Sequence, residues 1–139
     1  FEVPSYFRSV YLPIARNTLP RALDVFDFAE PSLVVGTRES SNTPDQALYM
    51  LNNPFVLEQS DALARRIMKL SSNPIDRAGK AINLVYGRSA TEAELRSANV
   101  FFRKADESKG SLPREQQIFK TLSEFCQALF CSAEFRFIN

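Results

Sequence analysis

The carboxylates Asp24, Asp27 and Glu30 stand three residues apart in a segment whose Leu19–Phe28 pattern predicts a helix of two to three turns. Two acids about 5–10 Å apart across a cleft are the machinery of glycoside hydrolysis. Asp24 and Asp27, on successive turns of such a helix, could approach that separation. The same spacing also describes a solvated helix face on which Arg21 pairs with Asp24 at i,i+3. A hydrolase needs a substrate groove as well, and spacing alone supplies none. The wet face is the better reading of these acids.

Histidine is absent from all 139 residues. It is the commonest general base near neutral pH and the commonest metal ligand. A Ser-His-Asp or Cys-His site cannot be assembled from this chain alone, nor can an imidazole zinc site or a c-type haem attachment motif. A zinc site made of thiolates alone needs four, and the sequence has two cysteines, Cys126 and Cys131. On one helix those two would sit about 7.5 Å apart along the axis at ~1.5 Å per residue. That is beyond the usual Cα separation of a disulfide, about 7 Å at most. They read as packed thiols. No cofactor and no metal is implied.

Charge narrows the partners. The 17 basic and 16 acidic side chains leave a formal charge of +1, which gives no global attraction to nucleic acid, an anionic membrane or an acidic substrate. Residues 74–104 do have the outline of a DNA-reading helix pair around a Gly-Arg-Ser-Ala turn. Yet Arg96, Arg103 and Lys104 are offset by Glu92, Glu94, Asp106 and Glu107, where a reader would show a basic stripe. An antiparallel helix pair of a bundle has the same outline. Arg65, Arg66, Lys69, Arg77 and Lys80 form a basic run with Asp76 inside it, either a patch for an acidic partner or the wet face of the bundle.

The elements that would position these groups are punctuated by caps. Phe7–Leu12 alternates like a short strand stopped by Pro13, and residues 29–42 read as loop. From residue 43 the signals are helical. Thr43-Pro44-Asp45-Gln46 is a capping box with Pro at the first helical position. Asn53-Pro54 and Asn73-Pro74 repeat the cap-plus-Pro pattern, Gly87 stands as a C-cap, and Thr91–Glu94 is another capping box. Apolar stripes follow at helical spacing: Leu63, Ile67, Leu70; then Ile75, Ala78, Ile82, Val85; then Leu95, Ala98, Phe102, Ala105. The last helix opens at Ser111-Leu112-Pro113. Its stripe of Ile118, Leu122, Phe125 and Leu129 is widened by Phe119, Cys126 and Phe130, as expected of a central helix covered on several sides. Phe135 and Phe137 predict a short extended tail. The expected fold is mainly α: a single-domain irregular helical bundle of about five to six helices with a short extended N-terminal segment. Residues 1–42 would form a mixed lead-in and 43–139 the helical core. No apolar run is long enough to span a bilayer.

Several of these blocks occur in an order that resembles a known family. Arg8-Ser-Val-Tyr-Leu-Pro13, Phe26-Asp27, Arg38, Gln46-Ala-Leu48, Leu51-Asn-Asn-Pro-Phe-Val56 and Leu63-Ala-Arg-Arg66 are similar to the C-terminal part of the domain of unknown function fifteen-fifty-three, typical of planctomycete bacteria. Leu84-Val-Tyr-Gly-Arg88 with Thr91-Glu-Ala-Glu-Leu95, and Ala128-Leu129 with Ser132-Ala-Glu-Phe135, fit its later blocks. Phe7 and Cys131 depart from it, standing where Arg and Asn are commoner. The resemblance implies a C-terminal module of a large exported protein, periplasmic or extracellular, with upstream domains of the same parent as its partners. An opening at Phe1 without a leader fits such a fragment. No activity is established for the family, so it transfers no catalytic residue, and any haem of the parent would bind elsewhere.

The resemblance also singles out polar side chains that no core requires. Arg8, Tyr11, Asp27, Arg38, Gln46 and Asn52 form a candidate polar cluster, either structural or binding a small-molecule ligand of unknown class. Arg8 and Arg38 would pin the 29–42 loop, with Asp27 between them. The expected role is a non-catalytic helical structural or interaction module. One alternative is part of an enzyme acting on an extracellular polymer, its other catalytic groups upstream. A second is nucleic-acid binding through residues 74–104, against which the charge balance speaks.

Overall fold

A computed structural model describes residues 8–12, 14, 19–29, 32–34, 36, 41–108 and 112–137. In order these form a 3-10 turn at Ser9–Tyr11, then α1 (Arg21–Val25), α2 (Pro44–Asn52), α3 (Pro54–Leu70), α4 (Pro74–Tyr86), α5 (Glu92–Ser108), α6 (Arg114–Cys131) and α7 (Ala133–Arg136). The fold is mainly α, an irregular helical bundle, with no strand among the described residues. The chain divides into two compact units, Phe1–Tyr49 and Met50–Asn139.

In the first unit the alternating stretch after Phe7 does not form a strand. Ser9–Tyr11 make a 3-10 turn between extended Arg8 and Leu12, closed by Tyr11 N–H donating to the Arg8 carbonyl at 2.9 Å. No partner strand exists among the described residues to give an extended segment its ladder. α1 is also shorter than Leu19–Phe28 predicts. It ends at Val25, and Asp27 takes a left-handed φ of 57°, which breaks helical continuation. Thr18, a candidate N-cap for this helix by its place just before Leu19, lies outside the described residues. Within the turn, Phe26 meets the edge of Tyr49 with ring centroids 5.5 Å apart.

In the second unit the starts of α3, α4 and α5 follow from the caps. Asn53 Oδ1 accepts from Phe55 N–H at 2.9 Å, and Asn73 Oδ1 from Ile75 and Asp76 N–H at 2.9 and 3.2 Å. Gly87 ends α4 at φ 71°, a region costly for residues with a Cβ. Thr91 and Glu94 form the reciprocal box, Thr91 N–H to Glu94 Oε2 at 2.7 Å and Glu94 N–H to Thr91 Oγ1 at 3.3 Å.

α6 occupies the centre of this unit, packing against α3, α4, α5 and α7. Its Leu122 and Cys126 are buried with Ala64, Ile67 and Ala81, and Phe102, Phe119, Phe125 and Leu129 close around them. Alanines at the contacts let helix axes approach closely. The stripes on α4 and α5 are buried or half-buried as their spacing predicts, but on α3 Leu70 is 52% exposed while Ser60 and Ala64 are buried. Residues 133–136 form one helical turn where Phe135 and Phe137 predict an extended tail. Ser132 Oγ caps that turn by accepting from Phe135 N–H at 3.2 Å, and Phe130 meets Phe135 at 5.0 Å.

Candidate functional site

Asp27 is the centre of the polar side chains in the first unit. Its left-handed turn aims the carboxylate at Ser41, whose N–H donates to Oδ2 at 2.8 Å and whose hydroxyl approaches Oδ1 and Oδ2 at 2.7 and 2.8 Å. Gln46, only 2% exposed at the start of α2, sends its amide Nε2 to Asp27 Oδ2 at 3.3 Å and to Ser41 Oγ at 3.1 Å. Two of the six expected cluster residues, Asp27 and Gln46, therefore meet. Arg8 and Tyr11 are exposed at the 3-10 turn, and Asn52 is exposed at the end of α2, in the second unit. Arg38 lies outside the described residues, and with it the expected pairing with Arg8. Ser41, not singled out from sequence, is the residue that links the other two. Asp24 is exposed on α1, while both oxygens of Asp27 hold donors. An acid or base poised for glycoside hydrolysis keeps a free carboxyl facing substrate, whereas these oxygens tie the turn after α1 to Ser41 and Gln46. Nearby, burial raises the Tyr49 hydroxyl above its ordinary pKa, against the opposing charge of Arg21.

The densest polar constellation lies in the second unit, where the turn between α4 and α5 meets α7. Arg88 presents two edges of its guanidinium to two carboxylates. Nε and Nη2 donate to Glu134 Oε1 and Oε2, each at 2.7 Å. Nη1 and Nη2 donate to Glu94 Oε2 and Oε1 at 3.0 and 2.7 Å. Both contacts are bidentate, the geometry to which the planar fork is suited. The guanidinium also lies 5.3 Å from the Tyr86 ring centroid. The Tyr86 hydroxyl, in turn, donates to Ser132 Oγ at 2.9 Å. The Arg88 hydrogen bonds, joined by the Thr91 backbone N–H, hold the Glu94 carboxyl down to about 2. Arg88 likewise lowers Glu134, and the two acids together raise Arg88. A guanidinium engaged on both edges has no edge left for a substrate phosphate or carboxylate. This cluster joins elements.

The other groups that could do chemistry are dispersed. In the basic run, Arg65 lies over Phe119 at 5.1 Å, Arg77 donates to the Ser71 carbonyl at 2.7 Å, and Lys80 pairs with Asp76. On α5, Arg96 pairs with Glu92 at 3.3 Å. Both cysteines are free thiols. Burial pushes Cys126 up to about 12, and it also raises Cys131, there against the charge of Arg136. A groove of about 520 Å³ runs along α3 and α6, but Asp61 in it accepts from Ser123 at 2.5 Å and Gln127 is held by the Leu51 carbonyl at 2.8 Å. Among the described residues no group of three or more His, Cys, Asp or Glu could hold a metal ion. No helix among them is long and apolar enough to cross a membrane.

The family described as PSD1, protein of unknown function (DUF1553), matches residues 2–102. The chain belongs to this family. No curated protein matches the chain, and no solved structure does. The DUF1553 match contains Asp27, Ser41 and Gln46, and it also contains Tyr86, Arg88 and Glu94. Ser132 and Glu134 lie beyond it. The double ion pair thus ties the DUF1553 region to α7, which lies beyond it.

The sequence carries Arg88, Glu94 and Glu134 in separate blocks that no local signal assigns to one another. The Thr91–Glu94 box was legible because it is local. Glu134 lies 46 residues from Arg88, and no period connects them.

Proposed function

We propose that this chain is a non-catalytic structural and interaction module of a larger exported protein, with upstream domains of that protein as its partners. One observation carries the reading: the side chains best able to bind or activate a substrate are engaged by one another. Arg88 has both edges on carboxylates, and the Asp27 carboxylate holds Ser41 and Gln46. The histidine-free composition supports the same reading, since a general base near neutral pH would have to come from a shifted carboxyl, lysine or thiol. Among the groups described, the shifts run the other way: Glu94 and Glu134 are lowered and Cys126 is raised.

The test is turnover by the purified chain on chromogenic esters, glycosides and peptides, with Asp27→Asn as the paired variant. We expect no rate above background for either protein. A measurable rate that Asp27→Asn abolishes, in a variant whose helical content is unchanged, would overturn the proposal.

A further inference from the structure

α7 is a helix of four residues, too short to hold itself together in water. Its position depends on what docks it. Two contacts hold it to the end of α4 and the turn that follows: the Arg88–Glu134 bidentate pair, and the Tyr86 hydroxyl on Ser132, the N-cap of α7. The ion pair is half-exposed, with Arg88 37% and Glu134 47% accessible, so water and salt screen it.

Arg136 opposes them. Its Nε and Nη1 are both buried and have no acceptor among the described residues. The guanidinium rests near the face of Phe137, 5.4 Å from the centroid, and a ring face replaces few of the hydrogen bonds that water would give. Buried donors left unsatisfied carry the full desolvation penalty. That penalty exists only while α7 is docked.

We propose that α7 is a strap poised to open, docked through Glu134 and Ser132 and pushed toward release by the two buried, unsatisfied donors of Arg136. Opening rehydrates Arg136 and separates the Phe130–Phe135 ring pair. It also frees the Nε–Nη2 edge of Arg88, a fork shaped for a carboxylate, while Glu94 keeps the other edge. The packing of α3, α4, α5 and α6 around Leu122 and Cys126 uses no residue of α7, so the strap can leave without dissolving the core. Such release is a local opening, distinct from global unfolding.

Native-state amide hydrogen exchange on the full chain tests this. Phe137 N–H, which donates to the Ala133 carbonyl at 2.9 Å, reports the strap, and the Leu122 amide in mid-α6 reports the core. In the wild-type chain Phe137 should exchange at least about tenfold faster than Leu122 after correction for intrinsic rates. Glu134→Gln should lower Phe137 protection by about threefold, the scale of an exposed ion pair. Arg136→Met keeps the packed stem and removes the unsatisfied donors, so it should raise Phe137 protection by about threefold. Leu122 protection should shift by no more than Phe137 protection in either variant, because both amides open from the same docked ground state. Equal protection at Phe137 and Leu122 in the wild type would overturn the proposal. So would protection at Phe137 that falls, or fails to rise, in Arg136→Met.

Discussion

Leu122→Ala is the sharpest test of where the stability of the second unit resides. Leu122 is 1% exposed on α6, surrounded by Ala64, Ile67, Ala81 and Cys126. Removing three side-chain carbons forfeits about 2.4 kcal/mol at ~0.8 kcal/mol per buried methylene. The alanines around the site are already small and sit on helices fixed by several other contacts, so little collapse can fill the space. The residual cavity should bring the cost to about 3–4 kcal/mol. Against a typical domain stability of about 5–15 kcal/mol, this should lower the urea midpoint strongly and the melting temperature by about 10 °C. The paired control is Leu70→Ala on α3, a residue of the same type that is 52% exposed. Its cost should be about 1 kcal/mol or less. Urea unfolding followed by far-UV circular dichroism measures both. If Leu122→Ala costs under about 1 kcal/mol, or if Leu70→Ala costs as much as Leu122→Ala, the core is not centred on α6 and the packing argument fails.

Acid should weaken the chain over a defined window. Glu94 is held at about 2 in the folded chain against 4.5 ordinarily, and Glu134 and Asp76 are also lowered, by hydrogen bonds from Arg88 and from Lys80 and Ser71 respectively. Groups with depressed folded pKa values stabilise above their ordinary pKa and lose that contribution as protons bind. The urea midpoint should therefore fall from about pH 4.5 toward pH 2, and a Glu94→Gln/Glu134→Gln double variant should show a flatter fall. A midpoint that rises on acidification would contradict the ion-pair geometry. Gly87→Ala should cost about 1 kcal/mol through backbone strain alone, because φ is 71° and nothing lies within 4 Å of the added Cβ. Gly87→Asn should cost less than Gly87→Ala in the same urea titration, and equal costs would point to a steric cause.

What was legible in the sequence is what is decided within a few residues. Asn53, Asn73, Gly87 and Thr91 set helix ends with atoms two to four positions away, and each end falls where those residues place it. Errors arise where a distant partner or a capping side chain overrides the local pattern. α1 stops early because Asp27 turns to meet Ser41, fourteen residues on. α7 coils because Ser132 caps it, although Phe135 and Phe137 alternate as an extended chain would. Leu70 fits the α3 stripe by spacing, but it stands at the last residue of the helix, where the stripe runs past the surface it covers. Of the candidate cluster, Asp27 and Gln46 share one site, and Ser41 between them carries no periodic or motif signal.

The Arg88 contacts pose a physical question, because exposed ion pairs contribute little to stability. The energetic weight of the second unit lies in Ile67, Leu122 and Cys126, all essentially inaccessible to solvent. Two bidentate contacts on one guanidinium do something burial cannot. Hydrophobic contact is non-directional, so a one-turn helix could dock on the end of α6 in several orientations with similar area. A planar fork accepts a carboxylate in one plane and at one distance, and Glu94, fixed by Thr91, sets the orientation of that plane. Glu134 can satisfy the remaining edge only when α7 sits in one place. The polar cluster therefore chooses the position of α7 more than it stabilises the fold. A weak, directional attachment of this kind leaves an element both well placed and easily released.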